Sequence, residues 1–174
     1  TKEDADHIVH SLADLRNAIE NATKGEVIFL PEEVEINFAD QAPLVISKSI
    51  TLAGDRGVEG SSGALLLMSD FTNKMMVHVK ADSVRITGLR IEGPDKQQRE
   101  SRDGLPRVRG INIKDYDFLE IDNTEIFGWS FSGVNFRDSN NAHIHHNLIH
   151  RNRRIGLGYG VSLYSYDEDQ ESSA

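Results

Sequence analysis

Residues 117–128 read DFLEIDNTEIFG, and residues 140–151 read NNAHIHHNLIHR. Laid over each other, and over DSVRITGLRIEG at 82–93, they keep three apolar positions in step. These are Val84, Leu119 and Ala142, then Ile86, Ile121 and Ile144, then Ile91, Ile126 and Ile149. The gap from the second to the third is five residues each time, and its second residue is Gly88, Asn123 or His146. A sharp turn suits Gly or Asn at that place. Each stretch therefore predicts two very short strands meeting at a tight corner.

A further strand precedes each corner. GINI (110–113), GVNF (133–136) and GVSL (160–163) align, with MVHV (76–79) as an earlier, weaker copy. Ile113 to Phe136 is 23 residues, as is Ile121 to Ile144, while Phe136 to Leu163 is 27. Ile86 to Ile121 is 35, with PDKQQRESRDGLPRVR (94–109) as the evident insertion. A repeat in the low twenties, with three short strands and small or polar turns, is the pattern of a parallel β-helix. No coil can bury its own apolar face, so the coils stack like over like around one shared core.

The pattern predicts an all-β solenoid of three short strands per coil and about four coils over residues 26–166. Ahead of it, Ile8, Leu12, Leu15, Ile19 and Ala22 have helical spacing, which predicts one helix over 4–23 ended by Gly25. The last residues, 167–174, are acidic and polar and are expected to be disordered.

Composition narrows the partners. The 174 residues carry a net charge of −9, which argues against nucleic acid as a partner of the whole molecule. No apolar run approaches the roughly 20 residues needed to span a bilayer, so no membrane partner is expected. Cysteine is absent, which removes disulfides and thiolate metal sites.

The chain resembles the right-handed parallel β-helix proteins of the pectin-lyase-like superfamily. The resemblance covers roughly residues 26–165. It rests on the three-strand coil, on the Gly or Asn corner, and on SITLAGDRG at 49–57, which is similar to an early rung of many such proteins. It implies that the first helix caps the open core end. It also implies secretion or a periplasmic location, and a groove beside the first strand of each coil where acidic polysaccharides lie.

In the histidine-rich stretch, Ile144 and Ile149 point inward, so alternation puts His143 and His145 outward. An outward His-x-His pair can chelate zinc, with His150 as a third ligand. No Asp, Glu or Cys in the segment completes a typical site, so the expectation is a polar face without metal.

Alternation along the first strands gives one outward column of His78, Asn112, Asn135 and Ser162, and beside it Lys80, Lys114, Arg137 and Tyr164. Successive coils lie about 4.8 Å apart, so Lys80, Lys114 and Arg137 form a cationic ladder. The loops running into these strands hold Arg99, Arg102, Arg107 and Arg109, then Arg151, Arg153 and Arg154, with Trp129 between them and Tyr159 after. Loops bordering the ladder make a basic groove with aromatic walls, suited to an acidic polysaccharide. The bland alternative is a solvated face with local ion pairs to Asp115, Asp117 or Asp138.

The resemblance adds a chemistry, β-elimination from a uronate. A base removes the C5 proton and an acid protonates the leaving oxygen, while cations neutralise the carboxylate. Lys114 is the expected base, Arg137 or Arg154 the carboxylate holder, and Tyr159 the acid. Lys80, Asn112, Asn135, Arg107, Arg109, Trp129, Arg151 and Arg154 are the expected substrate contacts. Asn112, Lys114, Asn135 and Arg137 stand where pectate lyases place calcium-binding acids, and no polygalacturonase motif is present. The nearest pattern is the Lys and Arg pair of calcium-assisted alginate and chondroitin lyases, which leaves calcium open as a cofactor. The alternative function is a non-catalytic β-helix module that binds glycans or spaces other domains, or a piece of a larger enzyme. Apolar Val161 and Leu163 in the last coil add an expectation of end-to-end self-association.

Overall fold

The computed structural model describes residues 2–58, 60–97 and 104–165. Arg99, Arg102 and the acidic stretch 167–174 lie outside the described residues. Among the described residues, sixteen strands fall into three sheets, and every pairing in them is parallel. The chain opens with β1 (His7–Ile8) and helix α1 (Leu12–Asn21). Five three-strand coils follow. They are β2 (Val27–Phe29), β3 (Glu35–Asn37) and β4 (Leu44–Ile46); β5 (Thr51–Ala53), β6 (Leu65–Leu67) and β7 (Met75–Val79); β8 (Arg85–Thr87), β9 (Arg90–Glu92) and β10 (Arg109–Lys114). The last two are β11 (Glu120–Asp122), β12 (Glu125–Phe127) and β13 (Ser132–Arg137), then β14 (His143–His145), β15 (Leu148–His150) and β16 (Tyr159–Tyr164). This is a right-handed parallel β-helix, with five coils where the sequence pattern shows about four.

Like stacks on like along each sheet. In the first sheet Ile28, Leu52, Ile86, Ile121 and Ile144 are register partners in turn. The second stacks Ile36, Leu66, Ile91, Ile126 and Ile149. The third stacks Leu44, Val77, Ile111, Val134 and Val161. Burial is complete or nearly so through the fourth coil and only partial at Ile144, Ile149 and Val161, while Leu163 is 71% exposed. Among the described residues, β14, β15 and β16 have no strand beyond them. The corners match expectation: Gly88, Asn123 and His146 all have positive φ, at 67°, 51° and 53°. There the backbone must turn in the left-handed region, which Gly and Asn enter at least cost.

The helix is shorter than its apolar spacing predicts. Ser11 is its N-cap and accepts a hydrogen bond from the Asp14 amide, so Leu12 is the first helical residue. Upstream, His7 and Ile8 pair with Ile28 and Phe29 as a strand. Ile8 is 46% exposed and belongs to no helical face. Leu15, Ala18 and Ile19 of α1 are buried in the same core as the first coil, closing that end of the stack.

Candidate functional site

The third sheet carries the candidate face, running β4, β7, β10, β13, β16. Its middle column holds His78, Asn112, Asn135 and Ser162 in register. These side chains bond to one another. Asn135 Nδ2 donates to Asn112 Oδ1 at 2.9 Å, and Ser162 Oγ donates to Asn135 Oδ1 at 2.9 Å. Asn112, Asn135 and Ser162 are buried between their flanking columns. They form a satisfied polar floor rather than a row of free hooks. Burial, with Lys80 nearby, holds the His78 imidazole below its ordinary pKa.

Beyond the floor, towards the strands' C-terminal ends, Lys114, Arg137 and Tyr164 are register partners, with exposed Lys80 just past β7. Lys114 Nζ lies 3.1 Å from Asp115 Oδ2, and Arg137 Nε lies 3.3 Å from Asp138 Oδ2. Both pairs are substantially exposed, so each is worth little and opens readily. Lys80, Lys114 and Arg137 thus come from successive strands at this end of the sheet, with an acid beside the last two. Calcium takes six to eight oxygen ligands. The acids adjoining this ladder, Asp115 and Asp138, each face the cation beside them, which is a poor fit to a calcium set.

The arginine loops enter at the other end of the strands from that column: Arg107 precedes β10, Arg109 opens it, and residues 151–158 lead into β16. Five strand steps separate Arg109 from Lys114, roughly 16 Å. The result is a floor with cations at both margins. Tyr159 stands in register with Ser132, away from Lys114, and Tyr164 takes the place in the Lys114–Arg137 column. Both rings nonetheless lie against Phe131, with centroids 5.8 Å and 6.2 Å away. Arg107 and Arg151 are exposed.

Two expected contacts are buried instead. Trp129 is fully buried in the core. It fits there because Gly110 has no side chain: a Cβ at Gly110 would come within 2.9 Å of the indole ring. Arg154 is also enclosed. Its Nε and Nη2 donate to Asp95 Oδ2 at 3.1 and 2.8 Å, and its Nη1 donates to the Leu105 carbonyl at 2.8 Å. A guanidinium so used cannot hold a substrate carboxylate. Phe131 and Tyr164 had been given no site role from the sequence. The only cue for Phe131 was an aromatic residue two positions before a first-strand glycine.

The histidines lie on another sheet. The neighbouring strand brings Glu120 and Asp122 to His145, their ligand atoms within 4.8 Å of one another. The segment alone lacked those acids. Asp122 is already engaged, receiving Arg85 Nε at 2.8 Å and Nη2 at 2.9 Å, plus Thr87 and Asn123. Burial pushes the Asp122 carboxyl up, yet hydrogen bonds from Arg85 and Thr87 outweigh it and leave it below the usual carboxylate range. Arg85 also lies 3.7 Å from Glu120, so the guanidinium fills the cation's place. Replacing His143 and His145 together with Ala should therefore cost less than about 1 kcal/mol, the range of exposed pairs. Thermal melting and elemental analysis check this, and stoichiometric metal lost in the double variant would overturn it.

No family model matches the chain, and no curated protein matches it. Among solved structures, the alginate lyase from Paenibacillus sp. str. FPU-7 superposes with a TM-score of 0.66 at 21% identity, covering 95% of this chain. This chain spans about half of that structure, 52% of its length. At such low identity the likeness speaks to architecture, and it agrees with the three stacked parallel sheets: the chain has the right-handed parallel β-helix fold seen in that alginate lyase.

Proposed function

We propose that the outer face of the β4–β7–β10–β13–β16 sheet binds a uronate-containing polysaccharide and cleaves it by β-elimination. The observation that carries this reading is the register of Lys114 with Arg137 and Tyr164 beside the buried Asn112–Asn135 floor. A strand face about 16 Å long with cations at both margins suits an extended polyanion. The fold shared with an alginate lyase points to the same substrate class. In the reaction, Lys114, as the free amine, takes the C5 proton and the electron pair is held on the carboxylate as an enolate. The pair then forms the C4–C5 double bond as the C4–O bond breaks, and the leaving oxygen takes a proton. Tyr164, in column with Lys114, replaces Tyr159 as the donor. Arg137 faces the developing charge on the carboxylate.

A second reading, glycan binding without cleavage, is favoured by Asp115 and Asp138 lying against the two cations that would act. One experiment separates them. Calorimetric titration with oligo-uronates should give weak binding that fades with salt, because the screening length falls from ~10 Å at 0.1 M to ~3 Å at 1 M. Lys114→Ala with Arg137→Ala should weaken it further and leave any neutral glucan unaffected. Under the catalytic reading, Lys114→Ala alone lowers turnover by about 10²–10⁴-fold, well beyond its effect on affinity. Turnover is followed by ultraviolet absorbance of the unsaturated product. Binding indifferent to salt and to the double change would sink the proposal. Binding without any unsaturated product would leave the second reading.

A further inference from the structure

At the N-terminal margin of the same face lies a cation whose surroundings differ from those of its neighbours. The chain has 28 acids to 19 Lys and Arg, and acids sit beside four of the cations named above: Arg85 has Asp122, Arg154 has Asp95, Lys114 has Asp115 and Arg137 has Asp138, while Lys80, Arg107 and Arg151 stand exposed to solvent. Arg109 has no carboxylate partner among the described residues. Its Nε is buried and without a hydrogen-bond partner, and so is Oγ of Ser132, its register partner on β13. The guanidinium carbon instead sits 4.4 Å over the Phe131 ring. Tyr159 meets that ring edge-on at 77°, and Tyr164 stacks near it at 24°.

Leaving a half-buried cation without a carboxylate is costly, and the face of the Phe131 ring offsets only part of that cost. Burial holds the Arg109 guanidinium below its ordinary pKa; Tyr164 opposes this, and Arg107 and Arg137 reinforce it. The potential at this spot is therefore positive and poorly screened. Around it, Tyr159 and Tyr164 keep 43% and 41% of their surface exposed, offering flat apolar walls. An anion alone would not need those walls, and a neutral sugar would not need the arginine. A pyranose ring bearing a carboxylate needs both.

We propose that Arg109, seated on the Phe131 ring that Tyr159 and Tyr164 also meet, forms a carboxylate-selective sugar subsite on the glycan-binding face. The inference rests on the reading of that face as a uronate site and names where the acid group is recognised. Ring stacking supplies affinity that is blind to charge. The planar guanidinium supplies the preference for an acid, as a two-pronged donor that Lys cannot reproduce.

The test compares an oligo-uronate with its carboxyl-reduced counterpart by calorimetry. Wild type should prefer the acidic ligand by at least about tenfold, equivalent to about 1.4 kcal/mol. Arg109→Gln should abolish that preference while leaving affinity for the reduced ligand unchanged. Tyr164→Ala, at an exposed position, should weaken both ligands by the same factor and keep the preference. It also keeps the test alive should Arg109→Gln melt early. Undiminished preference in Arg109→Gln, or Tyr164→Ala binding both ligands as wild type does, overturns the subsite. If Lys114→Ala with Arg137→Ala still weakens uronate binding in that case, the reading of the face survives alone. No uronate binding by wild type overturns both.

Discussion

Ile121→Asp is expected to abolish folding. Ile121 is fully buried, with Ile86 stacked on one side and Ile144 on the other in the first sheet. The substitution removes a buried aliphatic side chain, which alone costs about 2–5 kcal/mol. It also places a carboxyl among apolar neighbours with no donor in reach, which costs several more. Total stability of a domain is about 5–15 kcal/mol, so the two together exhaust most or all of it. The position amplifies the loss. In a solenoid each coil is held mainly by its neighbours, so a failed fourth coil strips the fifth of the strands it pairs with. Ile121→Val is the control, with a cost of about 0.5–1.5 kcal/mol and a normal cooperative melt. Circular dichroism melts of both variants, with solubility on expression, check the expectation. An Ile121→Asp protein melting like wild type would refute the stacking register.

The same stacking explains which parts of the molecule could be read from sequence. Coils three to five repeat because Ile86, Ile121 and Ile144 occupy one ladder and Gly88, Asn123 and His146 occupy one corner. The first two coils are harder to read, because eleven positions separate β5 from β6 where later coils have a two-residue corner. The helix start was blurred because Ile8 has helical spacing by chance, while the deciding signal was the Ser11 cap. At the site, alternation correctly set Lys114 beside Arg137 and Asn112 beside Asn135. What sequence could not show was where the loops return. Trp129 follows a corner and looks exposed, yet it turns inward because Gly110 leaves room for its ring. Arg154 and Asp95 lie 59 positions apart, with no local pattern to join them. Tyr159 reads as close to Lys114 only if strand direction is ignored.

Arg154 gives the second large effect, and it links the core to the face. Its side chain and that of Asp95 are both fully buried, 2.8 Å apart. Arg154→Met removes the guanidinium from the enclosed Asp95 carboxylate, and breaking a buried pair in this way costs about 3–5 kcal/mol. For a chain of this length that lowers Tm by roughly 10 °C. A second bond makes the effect more than a loss of stability. Arg154 Nη1 holds the Leu105 carbonyl, while Ser130 Oγ donates to Pro106 O and accepts from the Val108 amide. These bonds tie down the segment that delivers Arg107 and Arg109 to the face. Arg154→Met should therefore weaken oligo-uronate binding even below its melting range, without Arg154 ever touching the ligand. Adding Asp95→Leu removes the buried carboxylate as well and should recover much of the lost Tm, since apolar replacements of a buried pair are often neutral. Binding should not recover with it, because the Leu105 anchor is still missing. Melting curves and titrations of the two single variants and the double variant form the cycle that measures this. Additive effects on Tm, or full return of binding in the double variant, would show that the pair does not hold the loop.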